Sequence, residues 1–453
     1  MSPPEILIVG CGIAGPALAS FLLLSDLPAA QKPHITILER SSTKKAHLRG
    51  QNIDIRGVGV TLIRKLGIEK AIRNSLTGEA GVQLVDEKNR VWTQSRADTT
   101  GKTQTPTSDL EILRGKLAEI CWRGSQAVSA RAEKEGVRGI EYIFGDRLEE
   151  IWQDKDKVHV KFSNSGETKS YDILVGADGL QSATRKMVWG EAGESERVKR
   201  LDQYGGFFSI PRGETDSEWR RWFHTSGRRG IMVRPDGTGK RSTIFMSVVN
   251  DTDPRFAEVA KLGIKGVDAQ KQLLEAYFTG AGWECERILR EMKRTDDFYY
   301  DMIAQVKMDS WSKGRVVLLG DAGYCASPIS GLGTTLAFSS AYTLAGELSK
   351  CFKAGSLDPS PAFAEYGTKV RPVVDQAQKL APGMPWLINP ETAWGVHFMH
   401  TLVYLLSFTR ILILIVLFFG KILKRGPGMA DYVAVEDYGI HNMSEVDVGT
   451  QDE

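Results

Sequence analysis

A single carboxylate, Asp321, follows a short apolar run in the segment GRVVLLGDAGYCASPISGLGTTLAF, residues 314–338. The run Val316–Leu319 reads as a buried strand, and after Asp321 the next charged residue is Glu347. A carboxylate that is buried without a partner is costly. The pattern therefore indicates that Asp321 has a partner to hold.

Two glycines, Gly331 and Gly333, come shortly after Asp321 and precede a helix that is predicted to begin near Thr334. Glycines before a helix leave backbone N–H groups open, and the N-terminus of a helix favours negative charge. This second part of the segment is therefore a candidate site for a group that carries partial negative charge.

Another glycine pattern, Gly10-x-Gly12-x-x-Gly15, lies between an apolar run and a helical stretch. The first glycine permits a tight turn, the second lets the backbone approach a pyrophosphate, and the third allows close packing of helix on strand. Glu39 ends the next apolar run, followed by Arg40. An acidic residue there favours an adenosine with free ribose hydroxyls, as in FAD or NAD. The alternative is a tight turn without a ligand.

A third strand-and-turn pattern runs from Asp172 to Arg185, where an apolar run ends in Gly176-Ala-Asp178-Gly179. By itself this pattern fits any strand followed by a turn.

The elements that must position these residues form βαβ units separated by a more β-rich stretch. Strands are expected at 6–9, 35–38, 82–92, 142–144, 158–162, 173–175 and 316–319, and helices at 16–24, 111–122, 259–289 and 334–352. From about 197 to 250 the pattern is β-like. Parts of one α/β unit thus recur along the chain, and the strand at 82–92 is expected to join the β-rich unit.

Composition sets wider limits on the function. The 453 residues carry a net charge of only +2, which excludes general electrostatic binding to nucleic acid or to a membrane surface. The five cysteines lack zinc-site spacing, so no metal site is predicted, and they favour a reducing, intracellular compartment with free thiols. The first 24 residues lack the basic start of a signal peptide.

Together the three motifs resemble those of the FAD-dependent monooxygenases of the p-hydroxybenzoate hydroxylase-like (aromatic hydroxylase) group, in particular the microbial secondary-metabolism branch. The resemblance covers residues 1 to 380 in order and spacing. It implies an α/β fold with a Rossmann-like, glutathione reductase-type FAD-binding domain, an inserted β-rich substrate domain and, here, an apolar C-terminal helix. The corresponding ranges are 1–75, 101–190 and 295–380 for the FAD-binding domain, 76–100 and 191–294 for the substrate domain, 381–426 for the apolar C-terminal segment and 427–453 for a polar, acidic tail.

The resemblance also implies roles for single residues. The expected FAD-binding residues are Gly10, Gly12, Gly15, Glu39, Arg40, Arg114, Asp178, Gly179, Asp321, Gly331, Gly333 and Thr334. The glycines and Glu39 would hold the ADP half, Arg114 the linking chain and Asp321 the ribityl hydroxyls, with Gly331 and Gly333 beside the ring. The segment from Arg49 to Asp54 resembles a loop near the ring.

Some residues depart from the commoner family pattern. Gly323-Tyr324 stands where many relatives have Ala-His, and Thr335 and Ser340 stand where many have Asn and Asp. No acid–base residue is assigned, and His224, Tyr204 and Tyr299 are expected to be packing or surface residues.

The function that the resemblance implies is oxygenation of a small hydrophobic molecule, aromatic or polyketide-like, by hydroxylation or epoxidation in secondary-metabolite biosynthesis. NADPH or NADH, bound transiently because no second dinucleotide motif is present, reduces FAD, which traps O₂ as a C4a-hydroperoxide. A flavin reductase without oxygen transfer and a non-catalytic lipid-carrier module of the same fold remain alternatives.

The C-terminal region contains an apolar segment, residues 402–420, which is interrupted by Arg410 and followed by three basic residues. Its length is close to the roughly 20 residues that a membrane-spanning helix needs. Membrane association through this segment is therefore expected, with a buried or interfacial helix as the alternative. The tail after Gly426 is expected to be disordered. Oligomeric state does not follow from the sequence.

Overall fold

The computed structural model describes residues 2–42, 51–97, 110–408 and 435–446. Its strands are β1 (Glu5–Val9), β2 (His34–Glu39), β3 (Asn52–Asp54), β4 (Gly81–Val85), β5 (Val91–Arg96), β6 (Glu111–Leu113), β7 (Glu141–Phe144), β8 (Leu148–Gln153), β9 (Val158–Phe162), β10 (Thr168–Tyr171), β11 (Ile173–Gly176), β12 (Val198–Pro211), β13 (Trp219–Thr225), β14 (Arg229–Pro235), β15 (Arg241–Val249), β16 (Tyr299–Val306), β17 (Ser312–Lys313) and β18 (Val316–Leu318).

The helices of the same residues are α1 (Ala14–Leu23), α2 (Val58–Lys65), α3 (Glu69–Arg73), α4 (Arg114–Lys134), α5 (Ala183–Trp189), α6 (Glu194–Arg197), α7 (Arg255–Lys261), α8 (Val267–Phe278), α9 (Cys285–Arg294), α10 (Asp321–Tyr324), α11 (Gly333–Lys353), α12 (Ser360–Ala377) and α13 (Ala393–Phe408). Short 3₁₀ turns occur at Ala29–Gln31, Gly263–Gly266, Pro328–Ser330 and Trp386–Ile388.

One sheet has six strands in the order β17-β18-β11-β1-β2-β7, and all of its pairs are parallel except β17 with β18. Its central strands are short and apolar because helices cover them. Helix α1 is buried along its whole length and packs against α4 and α11. This arrangement places the ends of β1, β11 and β18 at one edge of the sheet.

A second sheet has seven strands in the order β16-β12-β15-β14-β13-β4-β5. Side chains alternate between the two faces of a strand, and one face of this sheet packs on α7, α8 and α9. The core on that side includes Phe208, Ile244, Phe256, Leu274 and Ile288. The opposite face carries the other residue of each alternating pair and is available to a site.

Strand positions refine the sequence-based division. Strand β4 pairs with β13 and β5 pairs with β4, so the chain segment at 81–96 belongs to the seven-stranded sheet. Strand β16 lies in the range 295–380 that the sequence analysis gave to the first unit, yet it pairs with β12 in the same seven-stranded sheet. The long loop from 249 to 299 contains α7 to α9, which cover that sheet.

Residues 435–446 correct the prediction of a disordered tail. The backbone N–H groups of His441, Met443 and Val446 donate to carbonyl oxygens of Leu24, Lys65 and Gly67 at 2.8, 2.9 and 2.8 Å. The sequence analysis judged the tail by its polar composition alone. A few apolar side chains, above all Tyr438 and Ile440, are buried against the first sheet's helices and hold this segment in place.

The ring of Tyr438 packs against Gly346 of α11, where an added Cβ would lie 2.2 Å from the ring. Its hydroxyl donates to Glu347 at 2.6 Å. Lys350 and Lys369 bridge Glu347 to Glu436 of the same segment. Hydrogen bonds from these two lysines lower the pKa of Glu436 to about 2. We call residues 435–446 the C-terminal clasp.

The apolar C-terminal helix is present only in part in the described residues. Helix α13 contains positions 402–408 of the predicted apolar segment, and the remainder, with Arg410, lies outside the described residues. Within the part of the chain that the structure describes, no helix is long and apolar enough to cross a membrane. Membrane association therefore stays a prediction.

Candidate functional site

The three sequence motifs meet at one edge of the six-stranded sheet. The loops that start at Gly10, Gly176 and Leu319 follow the parallel strands β1, β11 and β18. Backbone hydrogen bonds join the loops: Ala177 donates to Val9 at 2.8 Å, and Leu319 donates to Gly176 at 2.9 Å. This carboxyl edge is where open α/β sheets bind their ligands.

The first loop shows why its glycines differ in role. A Cβ on Gly10, whose φ is +116°, would lie 2.4 Å from the carbonyl oxygen of Ala177, and a Cβ on Gly15 would lie 2.1 Å from that of Gly10. A Cβ on Gly12 would meet no atom within 4 Å. Gly10 and Gly15 are therefore needed for the turn itself, whereas Gly12 keeps one side of the loop open.

Glu39 at the end of β2 is fixed beside this loop. Its carboxylate accepts hydrogen bonds from the backbone N–H of Cys11 at 3.0 Å and of Ser41 at 2.9 Å. The side chain is only half-buried, so oxygen lone pairs remain for a ribose hydroxyl. Arg40, the next residue, is exposed.

Asp178 is held by hydrogen bonds within its own loop, and its expected contact with FAD stays a prediction. Its carboxylate accepts from Ser182 Oγ at 2.6 Å and from the N–H and hydroxyl of Thr184 at 2.9 and 3.0 Å. These bonds hold the start of α5 and use both oxygens. Gly179 follows with φ +78° and lets the chain turn. Asp178 therefore shapes the second loop from within.

Arg185 is a residue of this site that sequence reasoning quoted without giving it a role. It is fully buried, and its guanidinium pairs with Glu194. It also donates to the carbonyl oxygens of Ala322 at 2.6 Å and Leu180 at 2.8 Å. Arg185 thus ties the second loop to the third, a link that no spacing rule could reveal.

Asp321 begins α10, directly after Gly320, whose φ is +66°. Burial raises the pKa of this carboxyl group, and the positive charge of Arg114 acts in the opposite direction. The side chain nevertheless remains exposed to solvent. A group that is both exposed and surrounded closely enough by protein to be desolvated lies in a concave part of the surface.

Asp301 on β16 is a second acid of this region, and the sequence analysis did not find it because β16 carries no motif. Burial raises its pKa to about 6, and the negative charge of Asp321 adds a smaller effect in the same direction. The N–H of Met302 at 2.8 Å, Arg114 and Gln181 favour its ionised form. The structure thus brings Asp301, Asp321 and Arg114 together.

The turn at 327–333 is the last part of the site at the carboxyl edge of the six-stranded sheet. Ser327 and Gly331 have φ of +74° and +65°, and α11 then begins at Gly333 without a side-chain cap at its N-terminus. A Cβ on Gly333 would lie 3.9 Å from Asp321 Oδ1, so the helix start lies beside that carboxylate. Thr334 is buried in the first turn of the helix.

The residues that depart from the family pattern face inward. The hydroxyl of Tyr324 lies 2.7 Å from that of Tyr366, and burial raises the pKa of Tyr324 to about 12. Ser340 is fully buried and donates to the carbonyl oxygen of Leu336. Thr335 donates to the carbonyl oxygen of Arg56 at 3.1 Å. These positions hold the scaffold behind the site.

The face of the seven-stranded sheet that lies opposite α7, α8 and α9 extends from the carboxyl edge of the six-stranded sheet. We call it the free face. Cross-strand neighbours on that face form a row whose members are Tyr299, Phe207, Phe245, Met232 and Trp222. The ring of Phe207 stacks on Phe245 at 4.3 Å and on Tyr299 at 5.0 Å. Tyr299 and Phe245 are half-buried, so this aromatic row forms a wall that a small molecule can reach.

Tyr299 was expected to be a packing or surface residue, as were Tyr204 and His224. Its hydroxyl donates to Gln51 Oε1 at 3.0 Å, and Gln51 O accepts from the N–H of Arg114 at 2.8 Å. Tyr204 packs in the core against Phe256. Of the predicted loop Arg49–Asp54, residues 49 and 50 lie outside the described residues, and the remainder lies beside Tyr299.

A buried group of four charges holds that loop against the sheet. Arg220 and Arg234 of the sheet pair with Glu79 and Glu111. Asn52 donates to Glu111 Oε1 at 2.8 Å and accepts from Thr243 at 2.6 Å. Burial raises the pKa of Glu111, while the charges of both arginines act in the opposite direction. Breaking such a pair is strongly destabilising, so the group fixes the β3–β6 strand pair against the seven-stranded sheet.

Comparison with known proteins identifies the group to which this site belongs. A family model described as FAD binding domain matches residues 4–381. An FAD-dependent monooxygenase of Sarocladium schorii, asL6, is 35% identical over 413 residues, which is 90% of this chain and 93% of that protein. The chain belongs to the family of FAD-dependent monooxygenases. Monooxygenase CTB7 of Cercospora beticola is 32% identical over 414 residues, 90% of this chain and 93% of that protein.

Solved structures agree on the fold of this monooxygenase. Tetracycline destructase Tet(51) is 30% identical with a TM-score of 0.66, covering 83% of this chain and 90% of its own. Klebsiella pneumoniae HpxO complexed with FAD and uric acid has a TM-score of 0.61 and covers 96% and 98%. At 17% identity, HpxO shows the fold alone.

The residues present in this FAD-dependent monooxygenase fit FAD. The open side of Gly12 leaves room for a pyrophosphate, and Glu39 has lone pairs for a ribose. The concave setting of Asp321 suits a chain of hydroxyl donors, and the uncapped start of α11 favours a ring that carries partial negative charge. The chemistry of the donor set thus matches the two halves of the cofactor.

Proposed function

We propose that this monooxygenase uses FAD, reduced by NADPH or NADH, to transfer one oxygen atom of O₂ to a hydrophobic aromatic or polyketide-like small molecule. The observation that carries the proposal is the stacked row of Tyr299, Phe207 and Phe245, which runs across the sheet beside Asp301 and Asp321. Aromatic faces of this kind bind flat apolar molecules. Hydroxylation and epoxidation both fit this arrangement.

The names of similar proteins support a multi-ring substrate from secondary metabolism. Two of the relatives come from fungi and are named monooxygenases. The solved structure at 30% identity is named for tetracycline, a four-ring molecule with several oxygen functions. A polycyclic, oxygenated aromatic compound is therefore the first substrate class to test.

In the proposed complex, the loop of Gly10, Gly12 and Gly15 binds the pyrophosphate, and Glu39 binds the adenosine ribose. Arg114 contacts the linking chain, and Asp321 accepts hydrogen bonds from the ribityl hydroxyls. The backbone at Gly331, Gly333 and Thr334 lies beside the ring. Bound FAD supplies the activation of O₂.

The chain's own contribution is to orient the substrate and exclude water. The aromatic row presents a flat apolar wall, and Gln51 fixes the Tyr299 end of this wall by the hydrogen bond at 3.0 Å. Asp301 holds a proton on its carboxyl group below a pH of about 6, where it can donate a hydrogen bond as well as accept one. At higher pH the same carboxylate is an acceptor only.

The test uses purified protein loaded with FAD and a panel of polycyclic phenols that includes tetracycline. We expect substrate to stimulate NAD(P)H oxidation and ¹⁸O from labelled O₂ to enter the product. Asp321→Ala should lower FAD occupancy at least about 10-fold because the ribityl hydroxyls lose a charged acceptor. Asp309→Ala, which removes an exposed acid of the same region, is the matched control and should bind FAD normally.

The alternatives predict other outcomes. Oxidation of NAD(P)H with a reduced, unlabelled product would favour a flavin reductase. A protein that does not take up FAD at all would favour the carrier module. Unchanged flavin content in Asp321→Ala would contradict the role proposed for that residue.

We further propose a peripheral association with membranes, supported by the outer side of α13. Trp394, Phe398 and Leu402 lie four residues apart, so they share one side of the helix, and all three are exposed. A helix with this pattern can lie in the interface of a bilayer. Cosedimentation with liposomes measures it, and loss of binding in Trp394→Ser with Phe398→Ser is the expected result.

A further inference from the structure

Two histidines on the free face of the seven-stranded sheet have unusual surroundings. His224 of β13 and His400 of α13 are 4% and 3% exposed, and their ring centroids are 5.8 Å apart. In the part of the chain that the structure describes, neither ring nitrogen of His224 has a hydrogen-bond partner, and Nε2 of His400 has none.

Such an arrangement is costly for a residue that serves only packing. A buried donor or acceptor without a partner costs about 1–3 kcal/mol, and a neutral imidazole has one of each. Burial lowers the pKa of both histidines, that of His224 to about 3, so both rings are neutral at physiological pH. Apolar side chains would fill this space without the penalty, so the two histidines point to a polar partner.

The register of the sheet relates His224 to the flavin-side edge. Cross-strand neighbours run from Asp301 to Gly205, Ser247, Gly230 and His224, one residue on each of five adjacent strands. All five face the same side as the aromatic row. Three of them are glycine or serine, and side chains cover them: the ring of Phe245 lies against Gly205, Gln203 donates to Ser247 at 3.2 Å, and Asn389 and Trp222 lie beside Gly230. Four strand spacings of about 4.8 Å separate Asp301 from His224 by roughly 19 Å.

We propose that His224 and His400 form a recognition site for an oxygen function, a phenolic hydroxyl or a ring carbonyl, at the end of the substrate that is remote from the flavin. This inference rests on the proposed function and deepens it, because it makes the substrate an elongated, multi-ring compound. One ring lies beside Asp321, the body lies along the aromatic row, and the polar end reaches the histidines.

The chemistry of the pair fits this ligand. A neutral imidazole can accept from a hydroxyl with one nitrogen and donate to a carbonyl with the other. Within the described residues, no group of three or more His, Cys, Asp or Glu side chains could hold a metal ion. Trp222, whose ring centroid lies 4.6 Å from that of His224, and Asn389 beside Gly230 border the same place.

Helix α13 covers the pair, because His400 belongs to it and Trp92 of β5 packs against the same helix. The oxygen function therefore reaches the nitrogens when α13 moves away from the sheet. The outer side of α13 is exposed, so the described protein holds this helix from one side.

The experiment compares His224→Phe and His400→Phe with the wild-type FAD-loaded enzyme. The probes are 2,6-dihydroxyanthraquinone and anthraquinone, which share their ring system and carbonyls and differ in the two terminal hydroxyls. Dissociation constants are measured by quenching of tryptophan fluorescence, and flavin content by absorbance. His397→Phe, on an exposed position of the same helix, is the matched control.

We expect wild type to bind the dihydroxy probe about 10-fold more tightly than anthraquinone, as for one hydrogen bond to a buried group. Both Phe variants should lose this preference with unchanged flavin content, and His397→Phe should keep it. His224→Asn, which retains a donor and an acceptor, should restore part of it. If His224→Phe does not fold, His400→Phe gives the same comparison.

Other outcomes overturn the inference. Equal discrimination in wild type and in the Phe variants, or no binding of the dihydroxy probe to wild type, would show that the histidines do not recognise the substrate. A rise in thermal stability of the Phe variants with unchanged preference would give them a packing role. Failure of the proposed function is distinct, because it appears as absent ¹⁸O incorporation whatever the probe affinities.

Discussion

The loops around Gly10, Asp178 and Asp321 and the sheet face around Phe207 and Phe245 lie side by side, yet they are built differently. Each loop is a short stretch of sequence after a parallel strand, and in the first loop backbone contacts require Gly10 and Gly15. The sheet face takes one or two residues from each of several strands, and only the register brings them together.

This difference separates two chemical tasks. A loop that binds a constant cofactor through backbone groups tolerates few substitutions, because an added Cβ at Gly10 or Gly15 meets a backbone atom. A wall of side chains on strands can exchange one ring for another without a change of backbone. A substrate preference can therefore change on the sheet while the cofactor loops stay the same.

The largest expected effect concerns two glycines of the first loop. Gly15→Ala places a Cβ 2.1 Å from the carbonyl oxygen of Gly10 and should lower the free energy of unfolding by about 3 kcal/mol or more. Gly12→Ala meets no atom within 4 Å and should fold normally, yet bind FAD at least about 10-fold more weakly because its methyl group occupies the open side. Denaturant unfolding and FAD titration measure both variants, and normal FAD affinity in Gly12→Ala would contradict the proposed pyrophosphate site.

The next effect concerns the clasp, which packs on α1, α2 and α11. Tyr438→Ala removes a buried ring that packs on Gly346 and a hydroxyl bonded to Glu347, so stability should fall by about 2–4 kcal/mol. Chemical denaturation measures this loss. A chain that ends at residue 446 retains the clasp and serves as the control. Equal stability of Tyr438→Ala and wild type would mean that the clasp contributes nothing to the fold.

A smaller effect is expected where the two regions meet. The pKa of Asp301 is raised to about 6 in the folded protein, above its value in the unfolded chain, so the folded state holds the proton more tightly. Stability should therefore fall as pH rises from about 4 to about 6. Asp301→Asn should reduce this dependence of stability on pH. A smaller dependence should remain, because the pKa of Asp321 is also raised. Thermal unfolding across this pH range measures the dependence in both proteins. If stability depends on pH equally in wild type and in Asp301→Asn, the raised pKa of Asp301 is contradicted.

The smallest effect concerns Tyr324, which faces away from both regions. Tyr324→Phe removes its hydrogen bond to Tyr366 and should cost about 1 kcal/mol of stability. FAD content and substrate-stimulated oxidation should remain those of wild type. A clear loss of turnover would place Tyr324 in the reaction rather than in the scaffold.

Sequence reasoning reached the loops because each one is local. Spacing alone located Gly10, Gly12 and Gly15, the preceding apolar run marked Asp321, and the resemblance pointed to Arg114. It did not reach Asp301 or Arg185, since their importance arises from strand pairing and from carbonyl oxygens far away in the chain. The aromatic row stayed hidden for the same reason.

The segment that forms the clasp was interpreted from its composition. The residues that depart from the family pattern were interpreted from their positions in the motifs. Composition described residues 427–453 as a polar tail, and two buried side chains, Tyr438 and Ile440, were enough to make part of it structural. Tyr324 and Ser340 stood out in the sequence only as departures from the commoner family pattern, which leaves open whether they contact the substrate. The direction in which these side chains face in the fold decides this question, and the spacing of residues along the sequence does not show it.

The clasp also sets an order for events during synthesis. Lys65 donates to the carbonyl oxygen of Ile440, a contact between residues 375 positions apart. The strands of the seven-stranded sheet, from β4 to β16, all leave the ribosome before that partner exists. Helix α1, which emerges long before residues 435–446 and has an apolar surface on nearly every side, must wait for them before its neighbourhood is complete. The helix is thus made early and completed late, and chaperones have long access to it in between.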